Sequence, residues 1–143
     1  MVFVDANIMV YASAAADAGL PQACGEILEA IARGDLQAGT SVAVLEEVWH
    51  LELRGRPRGL AGVTADAYRL FTPVLSVTDE ILSGALALEA DGLGANDRIH
   101  VATCTANGID TIISADAAFD SIGDVRHIDP GDAAAVQRLI APS

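Results

Sequence analysis

Lysine is absent from this chain. Its eight basic residues are all arginine and stand against 20 acids, for a net charge of −12. A protein that simply coats nucleic acid is basic, so this balance excludes that class. An acidic chain that handles nucleic acid needs cations at its site, a local basic patch or a basic partner. Aromatic residues are also scarce, at 4 %. With abundant alanine, that scarcity favours helices packed through small side chains over an all-β sandwich. No apolar run approaches the roughly 18 residues of a membrane-spanning helix. Only two cysteines occur, Cys24 and Cys104, without metal-ligand spacing or a disulfide framework. Reduced thiols in a cytoplasmic protein are the expectation. Met1-Val2-Phe3-Val4 opens a strand with no basic leader, so no signal peptide is expected.

What is present suits one domain over residues 1–143, with 52 % hydrophobic residues to bury. Val2 to Val4 reads as a short buried strand ending at Asp5. Helices are expected from Asn7 to about Ala18 and from Pro21 to Arg33, the second stopped by Gly34. Ser41 caps a helix to Arg54, and Gly55-Arg56-Pro57-Arg58-Gly59 is a loop. Leu60 to Phe71 reads as helical and Val74 to Val77 as a strand. Thr78 caps a helix from Asp79 to Ala90. Asn96 to Asn107 is the next helix, ended by Gly108 in the left-handed capping position. Thr111 to Ser114 is a strand, followed by a helical turn near Asp116. Val125 to Ile128 is the last strand, and Pro130 opens a final helix. Strands alternating with helices imply an α/β fold with a central parallel sheet covered on both faces. In such sheets the site lies beyond the carboxyl ends of the strands.

Two of those ends carry carboxylates. Val2-Phe3-Val4 runs into Asp5-Ala6-Asn7, and Thr111-Ile112-Ile113-Ser114 into Ala115-Asp116. Either acid also suits a helix N-cap, where a side-chain oxygen accepts free backbone N–H groups. Asp97 stands in a first helical turn, where the helix dipole favours negative charge. Asn96 could do the capping there and free Asp97 for another task. Glu46 and Glu47 fall on opposite flanks of an apolar helix face formed by Val44, Leu45, Val48, Trp49 and Leu51. The helical wheel does not choose between them. Clustered carboxylates repel each other unless a cation or protons are bound. Oxygen ligands of this kind suit Mg²⁺ or Mn²⁺, which can activate water for phosphodiester cleavage.

The four motifs together resemble the PIN-domain family, and within it the VapC toxins of bacterial VapBC toxin–antitoxin pairs. Val2-Phe3-Val4-Asp5-Ala6-Asn7 looks like the family's strand followed by D-x-N. Thr40-Ser41-Val42-Ala43-Val44-Leu45-Glu46-Glu47-Val48 looks like its second motif, whose register selects Glu47 over Glu46. Asn96-Asp97-Arg98-Ile99-His100-Val101-Ala102 looks like its "D-x-x-h-x-A" helix start. Ile112-Ile113-Ser114-Ala115-Asp116-Ala117-Ala118-Phe119 looks like its "T/S-x-D-x-x-F" motif. Ser114 stands where threonine is commoner, and Ala118 where a polar residue often precedes the Phe; neither change removes a carboxylate.

The resemblance implies a three-layer α/β/α fold and a metal-dependent endoribonuclease that leaves 5′-phosphate and 3′-hydroxyl ends. It implies that Asp5, Asp97 and Asp116 hold Mg²⁺ or Mn²⁺, with Glu47 holding or orienting a water. Asn7 and Ser114 would fix the carboxylates. It further implies a tRNA or rRNA substrate, a homodimer and an inhibitory antitoxin. Net charge adds that this partner should bring a basic arm to the carboxylates, and the alternating apolar helices could offer a groove for its amphipathic helix.

The remaining residues are read more plainly. His50, His100 and His127 share no spacing that suggests zinc. His100 lies one helical turn from Asp97 and could border the site, but a surface position is the simpler expectation for it. Asp120 could be an extra acid of the site, but a solvated surface acid is the simpler expectation. Arg54, Arg56 and Arg58 form the only basic cluster, either a solvated loop or a phosphate contact. Trp49 is expected in the core or at a dimer interface. A phosphotransferase of the haloacid-dehalogenase type also begins with a strand and an Asp. It needs a second Asp where Asn7 stands and a downstream lysine, and this chain has neither. The other alternative is a catalytically inactive PIN-fold binding module, against which the presence of all four acids argues.

Overall fold

The computed structural model describes residues 1–13 and 19–140. Four strands form one parallel sheet: β1 (Val2–Val4), β2 (Ala38–Gly39), β3 (Thr111–Ile113) and β4 (Arg126–Ile128), in the order β2-β1-β3-β4. Every residue of β1 and β3 is buried. Successive strand side chains point to opposite faces, so helices must cover both sides of the sheet. This is the α/β/α arrangement of a parallel sheet between helical layers. The helices are α1 (Ala6–Ala12), α2 (Leu20–Arg33), α3 (Val42–Arg54), α4 (Val63–Phe71), α5 (Asp79–Ala87), α6 (Ala95–Ala106) and α7 (Ala133–Ile140), with a 3₁₀ helix at Ala117–Ser121. None is long and apolar enough to cross a membrane.

Local chemistry sets several boundaries. Ser41 accepts the Val44 N–H at 3.2 Å and starts α3. Gly34 ends α2 at φ +80°, a left-handed conformation that a Cβ would strain. Glu52, on α3, accepts the N–H groups of Gly62 and Thr64 at 3.1 and 3.0 Å. The start of α4 is therefore capped by a neighbouring helix, and α4 begins at Val63 although the expected helix began at Leu60.

Other boundaries also differ from the sequence reading. Val74–Val77 is not a strand of the sheet: only Leu75 pairs, in a parallel bridge to Ser41. Its partner turns helical at Val42 and leaves no extended backbone to continue the ladder. The two-residue β2 is too short to leave an alternating pattern. Helix α5 stops at Ala87 because the following chain turns its carbonyls towards Arg98. That guanidinium donates to the carbonyls of Leu88, Ala90 and Leu93 at 2.6–2.8 Å. Helix α7 begins at Ala133 and not at Pro130, since Asp132 accepts the Ala135 N–H at 3.1 Å. Helix α1 ends at Ala12, where Ser13 Oγ donates to the Met9 carbonyl at 2.9 Å. Residues 14–18 of the expected helix lie outside the described residues. Trp49 is 54 % exposed and so is not a core residue. Both cysteines are buried and free, and burial pushes each thiol up to about 12.

Candidate active site

The site grows from the carboxyl edge of β1 and β3. Their register pairs Val4 with Ile113, so Asp5 and Ser114 leave the sheet side by side. Asp5 is the N-cap of α1, and its Oδ1 accepts the Ala6 N–H at 2.7 Å. Ser114 Oγ donates to Asp5 Oδ2 at 2.7 Å. The same hydroxyl oxygen accepts from Asn7 Nδ2 and from the Asp116 N–H, both at 3.1 Å. Asn7 Oδ1 in turn accepts the Ala115 N–H at 3.0 Å. Asp116 is exposed and caps the 3₁₀ helix by accepting the Ala118 N–H at 2.9 Å. Burial raises the Asp5 pKa, against the lowering influence of His100, Ser114 and the Ala6 N–H.

The other acids come from helices. Glu47, on α3, is half-buried and faces the cleft, whereas Glu46 is exposed. Asp97 stands in the first turn of α6, which begins at Ala95 with Gly94 at the cap. Asn96 therefore does no capping. Burial, then the negative charges of Asp5, Asp116 and Glu47, push Asp97 up to about 6, with His100 opposing. Asp5, Glu47, Asp97 and Asp116 line one cleft of about 400 Å³ with Asn7, Tyr11, Leu51 and Pro57. Pro57 belongs to the exposed loop that carries Arg56 and Arg58, so that loop reaches the cleft.

His100 overturns its expected surface position. Its side chain is 0 % exposed, and its ring lies 5.6 Å from that of Phe3. Nε2 is 2.7 Å from Glu47 Oε1 and 3.6 Å from Asp5 Oδ1. Nδ1 is buried with no hydrogen-bond partner among the described residues. Burial lowers the His100 pKa, but the hydrogen bond to Glu47 and the charges of Asp5, Glu47 and Asp97 outweigh it and leave the pKa raised. The signal was in the spacing: a residue three beyond Asp97 shares its helix face. Nothing local announced that this face is buried.

His127, on β4, was likewise not assigned to the site. Its Nδ1 lies 2.6 Å from Asp120 Oδ1 and its Nε2 2.7 Å from the Ser114 carbonyl. Asp120 is at the surface as expected, 70 % exposed, but it is paired. Arg98, inside the third motif, donates to the carbonyls of Leu88, Ala90 and Leu93 and so braces the 88–93 segment.

The donor set suits a hard divalent cation. Its acids are oxygen ligands, and burial with the negative charges around it raises Asp97 to about 6, a shift that a bound cation would oppose. Asp5, Glu47 and His100 each offer an atom within 4.8 Å of the others.

Comparisons with known proteins bear on the family and the fold. The sequence profile of the PIN domain matches residues 2–125. Ribonuclease VapC7 of Mycobacterium tuberculosis is 32 % identical over 146 residues, covering 98 % of each chain. Among solved structures, M. tuberculosis VapC20, a sarcin–ricin loop cleaving toxin, superposes with a TM-score of 0.63 at 22 % identity, over 88 % of this chain and 99 % of that one. VapBC2 from Rickettsia felis, bound to a promoter DNA fragment, gives 0.69 at 16 % identity, over 90 % and 98 %.

Proposed function

The chain belongs to the PIN-domain family, and from that premise we propose that it is a VapC-type endoribonuclease whose acidic cleft hydrolyses RNA with the help of Mg²⁺ or Mn²⁺. The observation that carries this reading is convergence: acids from four separate elements line one cleft. In this reading Asp5, Asp97 and Asp116 hold the ion. When bound, the ion supplies positive charge to the phosphate oxygens and makes a neighbouring water more acidic.

The chain's own residues do the rest. Ser114 and Asn7 hold Asp5 and the backbone of the Asp116 turn in place. Glu47 orients the attacking water and accepts its proton. Arg56 and Arg58, beside Pro57 at the mouth of the cleft, meet substrate phosphates and offset the acidic surface. The inactive-module alternative is not favoured, since no acid of the set is missing.

The partners belong to the same proposal. An apolar groove of about 270 Å³ lies between α1, α2 and α4, lined by Met9, Leu28, Val63, Leu70 and Phe71 among others. It supports an antitoxin helix, whose basic arm would enter the acidic cleft on another side of α1. If that antitoxin occupies the site, the complex binds Mn²⁺ more weakly than the free protein; equal affinity would rule this inhibition out. Exposed Val42, Trp49 and Leu53 along α3 support a homodimer, to be checked by sedimentation. A cytoplasmic location, where tRNA and rRNA are found, completes the proposal.

The central test uses metal-stripped protein and structured RNA. The sarcin–ricin loop, the target of VapC20, is a sensible first substrate. Cleavage is expected only with added Mg²⁺ or Mn²⁺ and should stop with EDTA. Glu47→Gln should abolish it and Glu46→Gln leave it unchanged. Undiminished cleavage by metal-free protein would sink the mechanism, and a reversed pattern for the two glutamates would sink the assignment of Glu47.

A further inference from the structure

His100 combines three properties that an ordinary core histidine does not. It is wholly buried, it touches two acids of the cleft, and one ring nitrogen has no partner. Two roles compete for such a ring: a metal ligand through Nε2, or a hydrogen-bond donor through Nε2. The short contact of Nε2 with Glu47 Oε1 favours the donor, and the lone Nδ1 agrees with it.

A histidine that binds a metal through Nε2 carries its hydrogen on Nδ1, and that N–H almost always donates to a carboxylate, a carbonyl or water. Here Nδ1 faces no acceptor among the described residues. A buried N–H without a partner is costly. With the hydrogen on Nε2 instead, the ring donates across 2.7 Å to Glu47 Oε1. That length is typical of a donor to a charged oxygen.

We infer that His100 is a positioning residue: its Nε2–H holds Glu47 in the cleft, and it is not a metal ligand. The inference rests on the reading of the cleft as a hydrolytic site. Two consequences follow. The ligand set of the ion stays all-oxygen, so the site discriminates weakly between Mg²⁺ and Mn²⁺, whereas an imidazole ligand would favour the transition metal. Glu47 is anchored through one oxygen, which leaves the other for water. The i, i+3 spacing from Asp97 to His100 thus lets one turn of α6 serve both the ion and, through Glu47, the nucleophile.

The experiment has a spectroscopic arm on the wild-type protein and a kinetic arm on variants. Ring ¹⁵N NMR is recorded for the metal-free protein and again with saturating Mg²⁺. The His100 Nε2 is expected to carry its hydrogen in both, and loss of that hydrogen on adding Mg²⁺ would make His100 a ligand and overturn the inference. His100→Leu is expected to lower kcat about 10- to 100-fold at nearly unchanged KM, and His100→Gln, which keeps a donor, to recover most of it. Should His100→Leu not fold, His100→Asn, whose amide falls short of Glu47, replaces it with the same expected loss.

Calorimetry with Mn²⁺ and with Mg²⁺ should give the same affinity ratio in wild type and variant. A Mn²⁺ preference that disappears with His100, or a Leu variant with wild-type kcat, would also overturn the inference. Failure of the underlying reading looks different: wild-type protein would cleave without metal, or Glu47→Gln would stay active, whatever the ring nitrogens do.

Discussion

Asp5 and Asp97 are carboxylates of one cleft, yet the protein holds them by different means. Asp5 sits where two strands end, and the chain supplies its donors: the Ala6 N–H, the Ser114 hydroxyl and, more distantly, Asn7. Asp97 sits on a helix, and what acts on it is burial and the charge of its neighbours. The sheet edge is thus built like a finished polar network, in which each group already has a partner. The helical rim is built with charge in excess of its donors. The first arrangement sets geometry, and the second is one that a bound cation would relieve.

The sharpest way to break this contrast is a pair of substitutions, one in each half. Asp97→Asn removes a charge that the folded protein strains to keep. Cleavage should fall by roughly 10³-fold, since an ion's charge stabilisation is worth several kcal/mol and each ~1.4 kcal/mol is a factor of ten. The metal-free protein should nevertheless melt no lower than wild type, and thermal melting without metal checks this. A lower melting temperature would mean that Asp97 is part of a stabilising network, as Ser114 is.

Ser114→Ala should behave in the opposite way. It strips a partner from Asp5 Oδ2, from Asn7 and from the Asp116 N–H at once. A loss of about 1–3 kcal/mol of stability is expected, from groups left unpaired. Mn²⁺ affinity should fall about 10- to 100-fold in addition. Denaturant titration and calorimetry read the two effects separately. If stability is unchanged, the sheet-edge network is not the scaffold described here.

A smaller effect, and the one that sharpens the comparison, is the pH dependence of the metal-free protein. Asp97 titrates near 6 in the fold against 3.8 for the free side chain. The native state therefore binds more protons than the unfolded state across that interval, and stability falls as pH rises through it. Asp5, also raised, acts in the same direction. His100, raised from 6.5, contributes stability at low pH that is lost as pH climbs through its folded value. The melting temperature without metal should rise as pH is lowered from 7 towards 5, and saturating Mn²⁺ should flatten the profile. A melting temperature that falls over that range would contradict the charge excess at the rim.

The same contrast explains what the sequence made legible. Ser41, Gly34 and Gly108 announce helix ends because caps are chemistry within a few residues. Asp5 and Asp116 are readable because each ends an apolar run that must be a buried strand. The helical half is harder. A wheel places Glu46 and Glu47 on two flanks but does not say which flank meets α6, and only the family register separated them. His100 has the right spacing from Asp97, yet its burial depends on β1 and α3, which are distant in sequence. Leu75, β2 and the unwinding after Ala87 fail for the same reason. Their partners are Ser41, β1 and Arg98, and no local pattern encodes those pairings.

The buried cysteines have a consequence of another kind. Thiols held near 12 and shut away from solvent are inert while the fold is closed, because the thiolate is the reactive species. Their reaction with a labelling reagent therefore becomes a clock for opening. Cys24 sits on α2, and Cys104 sits on α6, the helix that carries Asp97 and His100. The two labelling rates divide the molecule into a flank and a centre. A ligand that binds the acids slows the second clock, and a partner lodged in the groove of α1, α2 and α4 slows the first.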